Sequence, residues 1–160
     1  MRMRCLCTAL AVLVAVSDGR AADRPVREVR SEDGRYVLRI IPGRRDRGRP
    51  CEAMLRERVG GAPAKRVWDA NLVNDVAPMQ AYVRNDGRIV VTLDEFQRGG
   101  ARNSVVIYGG RGELLRHFLI TDLLSAADFE HVRTDPRRLT WLDGARCGFG
   151  ADGRHFVIQL

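Results

Sequence analysis

The sequence predicts an all-β fold, an antiparallel meander of about 8–10 strands with one short helix near residues 121–133. Three observations predict this class. Short segments rich in β-branched and aromatic residues recur along the chain, Gly-containing turns separate them, and the connections are short. Parallel neighbours need crossovers of about a dozen or more residues, so short connections indicate antiparallel pairing. The length of 160 residues fits a single domain.

The N-terminus is typical of an exported protein. Arg2 and Arg4 precede an apolar run at 5–16, and small residues follow it. This pattern predicts a signal peptide at 1–21 and a single β domain at 22–160, with a periplasmic or secreted location. An uncleaved anchor is the alternative, although the apolar run is shorter than the roughly 20 residues that span a bilayer. Once the leader is removed, we expect no transmembrane span.

Three Asp-Gly pairs, at 33–34, 86–87 and 152–153, each precede an apolar strand. Gly at the second position is able to adopt the positive φ of a tight turn. The first two strands alternate in the same register after the turn, whereas the apolar set of the third is shifted by one residue. The predicted core contains Tyr36, Leu38, Ile40, Ile89, Val91, Leu93, Val106, Tyr108, Phe118 and Ile158.

Further elements follow from local turn and cap signals. Gly-rich connections predict hairpins between 52–59 and 65–70, between 104–108 and 113–120, and, across Asp143-Gly144, between 138–142 and 145–149. Ser125 and Asp128 have the spacing of a capping box, which predicts one or two helical turns.

Residues 31–38 (Ser-Glu-Asp-Gly-Arg-Tyr-Val-Leu) and 84–91 (Arg-Asn-Asp-Gly-Arg-Ile-Val-Val) resemble the turn-plus-strand signature of bacterial β-propeller repeat proteins. Residues 68–119 are also similar to exported bacterial proteins of unassigned activity. The resemblance implies repeated β-sheet units and brings no catalytic residue with it. The chain has room for about three blade-like sheets, so a partial or irregular propeller and a β-sandwich both stay open.

Basic residues dominate the charge, with 27 Lys or Arg against 20 Asp or Glu and a formal net charge of +7. The densest group is Arg44, Arg45, Arg47 and Arg49, which surround Asp46 in one loop. Guanidinium groups pair with planar anions in bidentate fashion, so this loop is a candidate site for sulfate, phosphate or uronate groups. The alternatives are a solvated hairpin tip or a disordered loop that repels itself.

Asp94 and Glu95 end a predicted strand before a loop at 96–103. Adjacent carboxylates at a strand end can bind a hard cation or act as acid and base, and loops on rigid sheets often carry such sites. The alternative is that these charges simply keep the loop in water.

Cys51 and Cys147 are the two cysteines outside the predicted leader. In an oxidising compartment this pair is a disulfide candidate, and two separately packed thiols are the alternative. The three histidines lie far apart in sequence, so we predict no metal site, and no cofactor motif occurs.

The sequence therefore predicts an exported, non-catalytic β domain used for binding or protein interaction in the cell envelope. Its expected partner is an anionic envelope polymer or another envelope protein, and export disfavours nucleic acid. The alternative is a small envelope hydrolase whose site is assembled from separated Asp, Glu, His or Cys residues.

Overall fold

The computed structural model describes residues 25–60, 62–95, 103–130, 134–135, 138–139 and 141–160. The predicted leader, the loop at 96–102 and His131 lie outside these residues. The strands are β1 (Arg27–Arg30), β2 (Tyr36–Ile41), β3 (Glu52–Glu57), β4 (Lys65–Asn71), β5 (Pro78–Val83), β6 (Val90–Glu95), β7 (Val105–Tyr108), β8 (Leu114–Phe118), β9 (Thr134–Asp135), β10 (Arg138–Leu139), β11 (Arg146–Phe149) and β12 (Phe156–Gln159).

Every strand pair among the described residues is antiparallel, which confirms the predicted antiparallel meander. Sheet I has the order β1-β2-β3-β4, sheet II the order β5-β6-β7-β8, and sheet III pairs β11 with β12. The β3–β4 and β7–β8 hairpins lie where the Gly-rich connections predicted them. Both hairpins also contain a register shift at corresponding places, at Leu55/Arg56 and at Ile107/Tyr108. The matching irregularity indicates that sheets I and II are two copies of one structural unit.

The three Asp-Gly turns share one set of hydrogen bonds. In each, the Asp Oδ1 accepts the backbone N–H of the Arg two residues later, and the Gly N–H donates to the carbonyl of the residue three before it. The glycines have positive φ values of 70°, 68° and 64° for Gly34, Gly87 and Gly153. These turns join β1 to β2, β5 to β6 and β11 to β12, so sheets I, II and III each begin with the same strand–turn–strand unit.

The sheets stack face to face around two apolar clusters on opposite sides of sheet II. Cluster 1 lies between sheets I and II, and cluster 2 lies between sheet II, sheet III and the segment that follows β8. The predicted core residues all belong to these clusters. Tyr36, Leu38, Ile40, Val106 and Tyr108 lie in cluster 1, Val91 and Leu93 lie in cluster 2, and Ile89, Phe118 and Ile158 pack half-buried against cluster 2.

Corresponding strand faces point to the next sheet along the chain. The alternate residues of β2 face sheet II, and the corresponding residues of β6 face sheet III. In β12 the apolar residues Phe156 and Ile158 pack back onto sheet II, whereas Val157 points outward and is 50% exposed. This explains the one-residue shift of the third copy, because no described sheet covers its outer face.

Contacts between consecutive turns fix the stacking. The Asp33 N–H donates to Asn85 Oδ1 at 3.1 Å, and Arg84 Nη1 donates to the Gly153 carbonyl at 3.3 Å. A Cβ atom on Gly87 would lie 2.4 Å from the Tyr36 ring, so the second turn sits directly against sheet I. The three turns therefore form a row along one side of the stack.

The predicted short helix is confirmed as α1 (Ala126–Glu130). The backbone N–H of Ser125 donates to Asp128 Oδ2 and the N–H of Asp128 donates to Ser125 Oγ, both at 3.2 Å. These reciprocal bonds form the predicted capping box, with Asp in the place of the usual Glu or Gln.

The last predicted hairpin is wrong in its pairing. Residues 138–139 pair with β9, and β11 pairs with β12. Trp141 and Leu142, placed by the prediction in a strand, are instead buried in cluster 2 beside a turn. The predicted partner strand of β11 included Trp141 and Leu142. Because these two side chains are buried in cluster 2, their segment does not pair with β11, which pairs with β12.

Candidate functional site

The predicted arginine loop forms a short hairpin tip, which we call the arginine tip (residues 44–49). Arg44 and Arg49 exchange backbone hydrogen bonds of 2.7 and 3.0 Å at its base, and Arg45–Arg47 form one 3₁₀ turn at its end. Gly48 closes this turn with a φ of 61°. The backbone geometry therefore brings all four predicted arginines onto one small projection.

The tip is anchored to the segment between sheets I and II. Gly43 donates its N–H to the Val76 carbonyl at 2.7 Å. A Cβ atom on Gly43 would lie 2.4 Å from the Asp75 carbonyl oxygen, so only glycine allows this close approach. Arg45 adds an ion pair with the Asp75 carboxylate.

The tip contains one carboxylate among its four arginines. Asp46 lies 3.6 Å from Arg44 and 3.9 Å from Arg47. Arg49 donates to the Pro42 carbonyl at 3.2 Å, a neutral group that leaves its charge uncompensated in this contact. The Arg47 side chain is 70% exposed and that of Arg45 is 47% exposed. The tip thus presents accessible guanidinium groups in a region of positive charge.

Asp94 is buried at the end of β6, with only 6% of its surface exposed. Its Oδ1 accepts the indole N–H of Trp141 at 2.6 Å, and its backbone N–H donates to the Ser104 carbonyl at 3.1 Å. Its φ of 56° is in the left-handed region, which is uncommon for a residue with a side chain. Asp94 is therefore held in place by the fold and does not keep a loop in water. Glu95 is the last residue of β6.

The environment of Asp94 includes Cys147 and Tyr82. Burial raises the pKa of the Cys147 thiol, a hydrogen bond with Tyr82 lowers it, and the negative charge of Asp94 raises it. The Tyr82 hydroxyl in turn donates to Gln80 Oε1 at 2.6 Å. No local sequence signal places these side chains together, because Asp94 and Trp141 lie 47 positions apart. A general rule predicts only that a buried Trp has a hydrogen-bond partner for its N–H, without saying which residue that partner is.

The candidate disulfide is not formed. Neither of the two cysteines in the described part of the chain, Cys51 and Cys147, forms a disulfide. Cys51 is buried in cluster 1, whereas Cys147 packs against cluster 2 on the opposite face of sheet II. The stacking of the sheets thus keeps the two thiols apart, and the alternative of two separately packed thiols describes the structure.

Both described histidines are exposed. His117 lies exposed on β8, and His155 lies exposed beside Asp152, with 3.3 Å between Nδ1 and Oδ2. Within the ranges that the structure describes, no group of three or more His, Cys, Asp or Glu side chains is arranged to hold a metal ion. None of the described helices has the length and apolar character needed to cross a bilayer.

Comparison with protein-family models, with curated proteins and with solved structures gives no match. A functional conclusion for this chain therefore rests on the chemistry of its own residues.

The raised pKa of Cys147 predicts slow alkylation. The thiolate is the reactive form, so at about pH 7 iodoacetamide should modify Cys147 more slowly than a free small-molecule thiol, and the rate should rise at alkaline pH. Asp94→Asn removes a repelling charge and should speed the reaction, whereas Tyr82→Phe removes a hydrogen bond that lowers the pKa and should slow it. Peptide mapping by mass spectrometry measures the rate at this cysteine. Alkylation at neutral pH as fast as that of the free thiol would contradict the assignment.

Proposed function

We propose that this chain is an exported, non-catalytic β domain whose arginine tip binds anionic polymers of the cell envelope. The observation that carries the proposal is the exposure of Arg45 and Arg47 on a hairpin tip anchored through Gly43. A guanidinium group offers two parallel donors to a sulfate, phosphate or carboxylate group. Because the tip backbone is anchored, less conformational entropy is lost when an anion binds.

Export is the part of the proposal that rests on the sequence alone. A leader at 1–21 would send the domain to a compartment where anionic polymers and lipid headgroups are available and nucleic acid is scarce. A basic net charge of +7 favours the first encounter with such polymers at low ionic strength.

For the architecture, we propose an irregular propeller-like stack. A two-sheet sandwich encloses one core, whereas sheet II carries an apolar cluster on each face. Corresponding faces of β2 and β6 point to the next sheet, as they do in consecutive blades of a propeller. These two features support the proposed propeller-like stack, and they assign no role to it.

The alternative function, a small envelope hydrolase, is supported by the proximity of Asp94, Tyr82 and Cys147. A cysteine nucleophile needs a lowered pKa, usually through a nearby base or cation. Burial and the charge of Asp94 instead raise the pKa of Cys147. We therefore favour the binding function.

Neutralising the arginine tip should weaken binding to polyanions. In a variant with Arg44, Arg45, Arg47 and Arg49 all changed to Gln, we expect elution from an immobilised sulfated or uronate polymer at lower salt than the wild-type chain. The lost charge-assisted contacts explain the shift, and added salt should reduce the difference because it screens exposed charges.

A matched control distinguishes an effect of the arginine tip on binding from an effect of the net charge. In the control, four exposed arginines outside the tip are changed to Gln, which removes the same amount of charge. These residues are Arg30, Arg39, Arg56 and Arg58. This control should elute close to the wild type. Equal shifts for the two variants would show that retention follows net charge and that the tip is not a site.

A further inference from the structure

Arg45 and Arg47 lie in the same 3₁₀ turn of the arginine tip, with Asp46 between them. A 3₁₀ helix has three residues per turn, so side chains one or two positions apart point about 120° away from each other around its axis. The side chains of Arg45 and Arg47 therefore leave the turn in different directions.

The carboxylates beside these two arginines agree with this divergence. Arg45 pairs through Nη2 with the carboxylate of Asp75, which lies on the segment between sheets I and II. The Nε atom of Arg47 lies 3.9 Å from Asp46 Oδ2, on the turn itself, and the Arg47 side chain is 70% exposed. Arg45 is thus directed toward the segment between the sheets, whereas Arg47 extends into solvent. A single small anion would contact one of these guanidinium groups at a time.

The position of Arg45 depends on Asp75. The backbone of this aspartate is held against the base of the tip, because the Gly43 N–H donates to the Val76 carbonyl at 2.7 Å and a Cβ atom on Gly43 would lie 2.4 Å from the Asp75 carbonyl oxygen. A guanidinium group has five N–H donors, and even a bidentate pair with one carboxylate uses only two of them. Arg45 therefore keeps donors for a ligand while Asp75 holds it.

We propose that the arginine tip binds two anionic groups on separate units of one polymer chain, one at Arg45 and one at Arg47, with Asp75 as the positioning residue for Arg45. This inference rests on the proposed function and narrows its ligand to a chain of repeated anionic units. Exposed ion pairs are individually weak. When one ligand makes two such contacts, the second forms at a high effective concentration, so the pair binds more tightly than either contact alone.

A series of ligand lengths tests the two-contact arrangement. The probes are inorganic sulfate, galacturonate and galacturonate oligomers of increasing length, titrated at low salt and followed by NMR. Sulfate and the monomer should bind weakly, and the affinity should rise by about tenfold or more at the first oligomer that reaches both arginines. An affinity that rises only in proportion to the number of carboxylates would overturn the proposal.

Single substitutions show whether the two contacts are linked. Arg45→Gln and Arg47→Gln should each lower the affinity for a long oligomer by about tenfold, because the loss of one contact also removes the linkage. The double variant should be only slightly weaker than either single variant. Arg56→Gln, which removes the same charge from an exposed position outside the tip, should bind like the wild type. Single variants that weaken the binding of the monomer and of the long oligomer equally would contradict the linkage.

Asp75→Asn separates positioning from simple electrostatics. Removing a negative charge should by itself strengthen the binding of a polyanion, whereas loss of the Arg45 partner should weaken oligomer binding and change monomer binding little. Asp69→Asn is the matched control, because Asp69 is also exposed, at 53% against 43% for Asp75, and pairs with Arg66 at 3.1 Å. The control should bind the oligomer at least as tightly as the wild type. Equal strengthening in both variants would overturn the role of Asp75.

The variant with all four tip arginines changed to Gln distinguishes this inference from the proposed function. Oligomer binding as tight as that of the wild type in this variant would overturn both proposals. If the variant loses oligomer binding while the losses in Arg45→Gln and Arg47→Gln multiply in the double variant, the tip is a binding site with independent contacts. That result would overturn the two-contact inference alone.

Discussion

Gly87→Ala should destabilise the protein far more than Gly34→Ala. Both glycines occupy the same position of an Asp-Gly turn, with φ values of 68° and 70°. At Gly34 a Cβ atom meets nothing within 4 Å, so the cost is the backbone strain of about 1–2 kcal/mol. At Gly87 the Cβ atom would lie 2.4 Å from the buried Tyr36 ring, which adds an overpacking cost of about 1–3 kcal/mol. Urea unfolding of the two variants measures the difference.

This pair of variants tests the stacking of sheets I and II, since the two turns share the same backbone hydrogen bonds and nearly the same φ at glycine. Gly153→Ala serves as a third member of the series, because its nearest atom is the flexible Arg84 side chain at 3.8 Å. It should resemble Gly34→Ala. Equal costs for Gly34→Ala and Gly87→Ala would contradict the packing of the second turn against Tyr36.

Trp141→Phe should cost more stability than Trp68→Phe. Both tryptophans are buried, at 6% and 5% exposure. The Trp141 indole N–H donates to the Asp94 carboxylate, whereas the Trp68 indole N–H has no hydrogen-bond partner among the residues described. Hydrogen bonds to charged groups contribute about 1.5–3 kcal/mol, and Phe at 141 leaves a buried acceptor without this donor.

Losing the Trp68 N–H carries no such cost, so the difference between the two variants isolates the hydrogen bond to Asp94. We expect a difference of about 1.5–3 kcal/mol in the free energy of unfolding, measured by urea titration. A difference near zero would mean that the indole of Trp141 does not hold Asp94 in solution.

Local signals in the sequence predicted most of the secondary structure. The Asp-Gly turns, the Gly-rich hairpins and the Ser125–Asp128 capping box each depend on residues within a few positions of one another. Such interactions follow from backbone preferences that a single sequence displays. The alternation of apolar residues likewise identified the core, because side chains on a strand point to opposite faces in turn.

The order of the layers could not be predicted in the same way. Alternation shows which residues share a face but not which sheet covers that face. Val91 and Tyr36 occupy comparable predicted core positions, yet they lie in different clusters on opposite sides of sheet II. The last hairpin was wrong for the same reason, since burial of Trp141 in cluster 2 depends on a distant sheet.

The same distinction, between local sequence signals and contacts that depend on the fold, applies to the candidate sites. The four arginines of the tip are neighbours in sequence, so their grouping was predictable, while the ion pair of Arg45 with Asp75 was not. Asp94 was predicted as part of a site at a strand end, but its partner Trp141 and its neighbour Cys147 come from sequence segments that only the fold brings close. The absence of a disulfide between Cys51 and Cys147 likewise follows from the stacking of the sheets, which places the two residues in different clusters.

The most direct test of the arginine tip is an NMR titration that observes the side-chain Nε–H signals of individual arginines as a soluble polyuronate is added at low salt. The signals of Arg45 and Arg47 should shift first and saturate together, while those of Arg30 and Arg56 should stay in place until much higher polymer concentrations. Shifts of similar size at arginines across the whole surface would contradict a binding site at the tip.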